Sequence, residues 1–94
     1  MSNIQLLLLI SNQKPNNMND NFFVSSDLAL VAALCTLGHK LNAIDKNNKK
    51  VFFSFERTTD LETDVSKFWN HELNIDPLRY FNCLKEIKTR IYSF

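Results

Sequence analysis

The sequence has few of the residues that interrupt regular structure: one glycine, Gly38, and two prolines, Pro15 and Pro77. Tight turns rely on glycine and proline, so this scarcity argues against a β-sandwich with many tight turns. The chain has 94 residues, of which 45% are hydrophobic and 12% aromatic, which suits one folded domain. Its eight phenylalanines and one tryptophan supply much of the surface that so small a domain must bury.

Cysteine is also scarce, and its spacing carries no metal or redox signal. The two cysteines, Cys35 and Cys83, lie far apart in the sequence and form no Cys-x-x-Cys pair. Each falls within an apolar helical pattern, and free cysteine is among the most buried residue types. We therefore expect two reduced, buried thiols in a cytoplasmic protein rather than a disulfide, and we expect no metal and no cofactor.

Neither sign of charge dominates, and catalytic motifs are lacking. The net charge is only +1, whereas nucleic-acid-binding domains are usually basic. The histidines, His39 and His71, have no cysteine or carboxylate at a recognisable ligand spacing, and no phosphate-binding glycine loop is present. The acidic residues Asp60, Glu62 and Asp64 are typical of the exposed side of a helix start. We therefore expect that the protein is not an enzyme.

Hydrophobic runs are short, and the longest lies near the N-terminus. Residues 5–10, "QLLLLI", follow no basic residue and fall far short of the roughly 20 residues that span a bilayer, so we expect neither a signal peptide nor a membrane anchor. The polar segment that follows leads us to predict that residues 1–17 are a loosely attached appendage and that residues 18–94 form a single compact domain that folds without them. The appendage could be an edge strand, a flexible tail or sequence from an upstream start codon.

The first half of the domain predicts a strand, a helix and a hairpin. Residues 22–25 are typical of a short strand, and Ser25 or Ser26 can then cap a helix by accepting from a first-turn amide. Gly38 is placed to end that helix in a left-handed conformation. Two alternating segments follow, joined by the polar turn "KNNK" at residues 46–49, as in a β-hairpin.

The second half predicts two helices. "TDLE", residues 59–62, matches a capping box, and the helix that it begins should run to about His71. Asp76 and Pro77 are suited to the N-cap and first position of a last helix, which runs towards Tyr92. The order is then β-α-β-β-α-α, and the fold class is α+β, with a sheet of about three strands covered by helices.

The aromatic segment "KKVFFSFER", residues 49–57, raises the question of base stacking. Side chains alternate along a strand, so Phe53 and Phe55 share one face and Phe52 lies on the other. An RNA-recognition platform needs aromatic residues side by side on the open face. It would require Phe22 or Phe23 beside Phe52, and residues 73–75 could supply its fourth strand. The interpretation that we favour is that Phe53 and Phe55 are core residues and that Phe52 is the most exposed of the three.

Two groups of residues are candidate binding sites. Lys40, Lys46, Lys49 and Lys50 are predicted to cluster at the hairpin tip, where they could contact phosphates or form an ordinary solvated turn.

The second group is Trp69, Arg79 and Tyr80, which could anchor a protein partner because these residue types are frequent at interface centres. The alternative, which we favour from the sequence alone, is that Trp69 closes the core near Tyr80 or Phe81. Phe81 itself falls in the predicted inward stripe of the last helix.

Three segments carry a resemblance to a known family: "FFVSSDLALVAALCTLGHKL", "KVFFSFE" and "VSKFWNHELNIDPLRYFNCLKEIKTRI". Over residues 22–91 the chain resembles a family of small, uncharacterised α+β domains from bacteria and bacteriophages. The resemblance implies one compact domain and supplies no catalytic residues. We expect a small non-enzymatic protein-interaction or accessory module, encoded by a phage or mobile element, that binds a protein partner or itself. The alternative is a nucleic-acid-binding regulator that uses the basic hairpin.

Overall fold

The computed structural model describes residues 21–47 and 49–92. The elements within them are β1 (Phe22–Ser25), α1 (Leu28–Thr36), β2 (Leu41–Asn47), β3 (Lys50–Glu56), α2 (Thr59–Trp69) and α3 (Pro77–Tyr92). Their order is β-α-β-β-α-α, so the predicted α+β class is confirmed. The predicted appendage, residues 1–17, lies outside the described residues.

The three strands form one antiparallel sheet in the order β1-β3-β2, with β3 in the centre. Phe23 lies opposite Phe55, and Ile44 lies opposite Phe53, so these side chains share the face that the helices cover. Residues 73–75 form no strand and belong to the connection between α2 and α3. They therefore do not provide the fourth strand of an RNA-recognition platform.

Helix α1 is the buried centre of the domain. Residues 30–34 are each at most 2% exposed, because this helix is apolar on all sides and packs against both α2 and α3. Phe53 and Phe55 from β3, Leu61 from α2 and Ile87 from α3 complete the core. The prediction that Phe53 and Phe55 are core residues is confirmed.

The first helix begins one residue later than predicted. Asp27 is its N-cap, and the Asp27 carboxylate accepts hydrogen bonds from the amides of Ala29 and Leu30 at 3.0 and 3.2 Å. The Ser25 hydroxyl accepts from the Asp27 amide at 3.0 Å, and Ser26 does not cap the helix. A carboxylate at this position also interacts favourably with the positive end of the helix dipole.

The second helix begins one residue earlier than predicted. Thr58 is the N-cap, and its hydroxyl accepts from the Leu61 amide at 3.0 Å. A capping box needs a Glu or Gln three residues after the cap, and that position holds Leu61, so the predicted capping box at residues 59–62 is wrong. Glu62 pairs instead with Arg57, at 3.2 Å.

Helices α1 and α2 end with the same hydrogen-bond pattern. The amides of Gly38 and His39 donate back to carbonyls in the last turn of α1, and those of His71 and Glu72 do the same for α2. This pattern is the Schellman motif, which places one residue in the left-handed region. Gly38 takes that position after α1, as predicted, with φ of 97°, and His71 takes it after α2, with φ of 61°. His71 therefore lies in the turn beyond α2, which ends at Trp69.

Substitutions at these two left-handed positions should change stability in opposite directions. We expect Gly38→Ala to lower the free energy of unfolding by about 1–2 kcal/mol, because a Cβ disfavours this conformation. No described atom lies within 4 Å of the Cβ position, so the cost is conformational. His71→Gly should raise the free energy of unfolding by up to about 1 kcal/mol. Urea unfolding of both variants tests this, and changes of the same sign would contradict a shared role.

Both cysteines are unpaired, half-buried thiols, so the prediction that they are buried holds only in part. Burial raises the pKa of Cys35 from 9.0 to about 11, and the neighbouring Cys83 thiol acts in the same direction. Between those pH values the folded protein retains a proton that the unfolded chain has lost. The contribution of Cys35 to stability therefore falls as the pH rises from about 9 to 11.

The raised pKa of Cys35 predicts slow alkylation. At pH 8 the thiolate fraction should be roughly 100-fold lower in the folded protein than in the urea-unfolded chain, and the iodoacetamide rate should fall accordingly. A Cys83→Ser background isolates the Cys35 reaction. Equal rates with and without urea would contradict the raised pKa.

Candidate functional site

An apolar cleft of about 460 Å³ lies where α1, the end of α2 and the start of α3 meet. The connection between α2 and α3, which starts with the left-handed turn at His71, forms one side of the cleft. Its lining comprises Ala33, Phe68, His71, Leu73, Ile75, Pro77 and Tyr80. Aliphatic and aromatic carbon therefore forms most of its wall.

Trp69 is adjacent to this cleft and is 57% exposed. Its ring makes an edge-to-face contact with Phe68, which lines the cleft, with 4.9 Å between the ring centroids. Successive helical residues are about 100° apart, so Trp69 turns towards solvent when Phe68 faces the core. The favoured prediction, that Trp69 closes the core near Tyr80 or Phe81, is therefore wrong.

A second set of exposed apolar side chains lies on the outer side of α3. Leu78 and Phe81 are 66% and 53% exposed, and the Lys85 Nζ lies 5.4 Å from the centroid of the Phe81 ring. The spacing i, i+3, i+7 places all three on one side of the helix. The prediction that Phe81 belongs to the inward stripe is wrong. The residues of α3 that meet the core are Tyr80, Leu84, Ile87 and Ile91.

Of the three predicted partner-binding residues, two lie at the cleft and one does not line it. Tyr80 lines the cleft and packs against the core, and Trp69 lies beside the cleft through its contact with Phe68. Arg79 is exposed, and its amide donates to Asp76 at 2.9 Å, which confirms Asp76 as the cap of α3. Arg79 is not among the residues that line the cleft.

Sequence reasoning missed Leu78 as a candidate. The available signal was its i, i+3 relation to Phe81, on the side of α3 away from Tyr80. An apolar pair there is easily assigned to the core, because only the position of the neighbouring elements shows which side of α3 is covered.

The structure divides the predicted basic cluster. Lys46, Lys49 and Lys50 lie at or beside the hairpin tip, where Asn47 pairs with Lys50. Lys40 precedes the first residue of β2, which pairs near the other end of β3. Six residues, roughly 20 Å of extended chain, separate Lys40 from Lys46. The prediction that Lys40 joins the cluster at the tip is wrong.

Lys46 and Arg57, near opposite ends of the sheet, each make contacts that hold it to a neighbouring helix. The Lys46 Nζ donates to the Ile91 carbonyl at 3.3 Å, which ties the hairpin to the end of α3. Arg57 donates to the Phe22 carbonyl at 3.1 Å and pairs with Glu62, so it ties β1 to the start of α2. The basic residues of the hairpin thus lie at both ends of the sheet.

Among the described residues, no two aromatic rings lie side by side on the open face of the sheet. Phe52 lies opposite Asp45, whereas Phe22 lies opposite Glu56, four residues further along β3 and roughly 13 Å away. Phe23 is on the helix-covered face. Phe52 is half-exposed, and it is more exposed than the two core phenylalanines of β3, as predicted.

A polar pair that sequence reasoning missed joins the end of α1 to α2. The His39 Nε2 lies 2.6 Å from an Asp64 carboxylate oxygen, and both side chains are mostly buried. The prediction that Asp64 points outward is wrong. The turn at Gly38 directs His39 towards α2, and 25 positions separate the two partners, so no local pattern reveals the pair. The described residues include no group of three or more His, Cys, Asp or Glu side chains placed to bind a metal ion.

The exposure of Trp69 predicts its fluorescence. We expect emission typical of a largely solvated indole, and efficient quenching by acrylamide, because more than half of the side chain meets water. Trp69 is the only tryptophan, so the signal has one source. Blue-shifted emission that resists quenching in the dilute protein would instead indicate that the ring is covered.

Comparison with curated proteins and with solved structures gives no match. Among the described helices, none combines the length and the apolar character needed to cross a membrane. A family model matches residues 19–93 and so covers all six elements of the fold. This agrees with the resemblance to a family of unknown function. The chain belongs to the family described as "Domain of unknown function (DUF5659)".

Proposed function

We propose that the protein is a small non-enzymatic protein-interaction module, and that its partner binds at the apolar cleft, at Trp69 beside it and along the exposed apolar side of α3. One observation carries the proposal: Trp69, Leu78 and Phe81 are each more than half exposed, at the end of α2 and the start of α3. Monomeric proteins rarely expose several large apolar side chains in one region, and such a region usually marks an interaction surface.

Trp69 is the strongest anchor in this surface. A tryptophan can bury about 150–250 Å², so covering its exposed part would remove on the order of 100 Å² from water, which contributes roughly 2–3 kcal/mol. Its contact with Phe68 holds the ring from one side, and this reduces the entropy that binding must remove. A partly ordered aromatic ring of this kind is typical of residues that dominate interface energetics.

The composition of the cleft favours a protein side chain as its occupant. Small-molecule sites combine apolar walls with several placed polar groups that fix orientation. Here the polar side-chain atoms of the lining come only from His71 and Tyr80. An apolar side chain of a partner, or of a second copy of this chain, matches such a wall better than a polar metabolite does.

The unpaired thiols, the family resemblance and the His39–Asp64 pair bear on the cellular setting of the protein and on its chemistry. We place the protein in the cytoplasm because Cys35 and Cys83 are unpaired thiols. An accessory role encoded by a phage or mobile element follows from the resemblance of the sequence to its family. A non-enzymatic role is supported by the position of the His39–Asp64 pair, which is mostly buried and does not line the cleft.

Nucleic-acid binding by the basic hairpin is the competing function, and the placement of charge supports it less. Lys40 is separated from the tip residues, and Lys46 is engaged at the end of α3. Binding of random duplex and single-stranded oligonucleotides, measured at two salt concentrations, separates the two functions. We expect weak binding, and tight binding that falls steeply with salt would overturn the proposal.

Site-specific photo-crosslinking tests the proposed surface directly. A photoreactive amino acid at position 69 should capture a protein partner, or a second copy, in the native host. The same group at position 92 is the matched control, because Tyr92 is also exposed but lies at the other end of α3, roughly 20 Å from Leu78.

Binding by purified proteins then measures the contribution of each side chain. With the captured partner, Trp69→Ala and Phe81→Ala should each weaken binding by at least about tenfold, whereas Tyr92→Ala should leave it unchanged. No capture at position 69, equal capture at both positions, or equal affinity for all three variants would contradict the proposed surface.

A further inference from the structure

We propose that the domain assembles head to tail, with the exposed side of α3 in one copy docked on the open face of the sheet in the next copy. The inference rests on the proposed function, because it names a second copy of this chain as the occupant of one part of the proposed surface, the exposed side of α3. The open face of the sheet is a separate surface, since the helices cover the opposite face.

The open face of the sheet is concave and largely apolar. A cavity of about 520 Å³ is lined there by residues of all three strands, among them Val24 from β1, Phe52 and Ser54 from β3, and Ala43 and Asp45 from β2. Val24 is 56% exposed, and Phe52 is half-exposed. The solvated face of an antiparallel sheet normally carries polar side chains, so exposed apolar carbon at this position indicates a surface that another molecule covers.

Asp45 gives this face a negative charge next to its aromatic ring. It lies directly opposite Phe52 across the β2–β3 pair, so the two side chains share the open face. Lys50 and Glu56, at the two ends of the same face of β3, carry opposite charges and do not line the cavity. Among the described residues, Asp45 takes part in no ion pair.

The exposed side of α3 carries the opposite charge. Leu78, Phe81 and Lys85 lie along it, and the Lys85 Nζ is 5.4 Å from the centroid of the Phe81 ring. None of the positions three or four residues from Lys85 along α3 is acidic, so the helix itself supplies no carboxylate to this ammonium group. Over the part of the chain that the structure describes, Lys85 has no ion pair with another element either.

The two surfaces present matching chemistry at a similar spacing. Along α3 the order is aliphatic, aromatic, cation, and about 10 Å of helix rise separates Leu78 from Lys85. Across the sheet the order is aliphatic, aromatic, anion, and Val24 and Asp45 are two strand spacings and two residues apart, roughly 12 Å. Leu78 can therefore cover Val24 while Lys85 reaches Asp45, with the two aromatic rings between them.

Charge selects contact between the two unlike surfaces. Copies that met through the same surface would bring two Lys85 side chains, or two Asp45 side chains, together, and like charges at an interface oppose binding. Contact between the different surfaces pairs one ammonium group with one carboxylate instead. Such a head-to-tail contact leaves a free surface on each terminal copy, so further copies add unless the arrangement closes into a ring.

Charge reversal in the full 94-residue chain tests this contact. Sedimentation at low ionic strength, where surface charges are little screened, should show a mass that rises with concentration for the native chain. Lys85→Glu and Asp45→Lys should each weaken self-association by at least about tenfold, because each places like charges in the contact. An equimolar mixture of the two variants should associate again, because the first keeps Asp45 and the second keeps Lys85.

The matched controls are Lys49→Glu and Glu86→Lys, which change the net charge by the same amounts at exposed positions. Lys49 lies in the hairpin turn, and Glu86 turns about 100° away from Lys85 around α3. Both controls should assemble as the native chain does. Circular dichroism of every variant establishes that it is folded.

Four outcomes would overturn the inference. A native chain that stays monomeric at all concentrations would show that the contact does not form, and unchanged association of both reversed variants would place it on another surface. A mixture that fails to associate would show that the two charges do not meet. An equal loss in the controls would assign the effect to net charge. The proposed function is judged separately, by capture at position 69, and it stands if a different protein is captured there.

Discussion

Phe53→Ala is expected to lower the free energy of unfolding by about 3–5 kcal/mol, the usual cost of truncating a buried phenylalanine. The side chain is 1% exposed and belongs to the central strand, with Ser25 opposite it on one side and Ile44 on the other. A domain of this size has a total stability of roughly 4–11 kcal/mol, so this one change removes a large part of it. Phe55→Ala should have a comparable effect, because Phe55 is equally buried.

Phe52→Ala is the matched control for this experiment. Phe52 is next to Phe53 in the same strand, but its side chain is half-exposed on the open face of the sheet. Its truncation should cost appreciably less, because less area is transferred from water and no enclosed cavity remains. Urea unfolding of the three variants gives the order. A larger loss for Phe52→Ala would mean that the two faces of the sheet are exchanged.

Leu61→Ala is expected to lower the free energy of unfolding by about 2–5 kcal/mol. Leu61 lies in the first turn of α2, is fully buried, and donates its amide to the Thr58 cap, so it positions the helix against α1. Trp69→Ala, at the other end of the same helix, should change stability by less than about 1 kcal/mol because most of the ring remains in water.

Comparing Leu61→Ala with Trp69→Ala separates the contribution of α2 to folding from its contribution to partner binding. If Trp69→Ala leaves the domain stable and weakens partner binding, this large side chain is retained for the surface that it forms. Thermal and urea unfolding measure the first effect, and the affinity of the purified variant for the captured partner measures the second. A loss of stability equal to that of Leu61→Ala would show that the ring packs against the domain, contrary to its exposure.

The sequence alone determined the features that depend on neighbouring residues. Alternation along residues 51–56 assigned Phe53 and Phe55 to the core, because side chains of a strand point to opposite faces whatever surrounds them. Gly38 marked the end of α1 because few other residues adopt a left-handed conformation without strain. Asp76 marked the start of α3 because a side chain and an amide three residues away form that cap locally.

Only the tertiary structure decided which sides of the elements are covered. Phe81 and Trp69 belong to apolar patterns, but a pattern cannot show where a neighbouring helix stops, and both side chains lie beyond the covered area. The His39–Asp64 contact and the separation of Lys40 from the hairpin tip depend on helix packing and strand register. Such contacts join residues that are distant in the chain, and their geometry is set by the packing of the whole core around α1, which no single segment encodes.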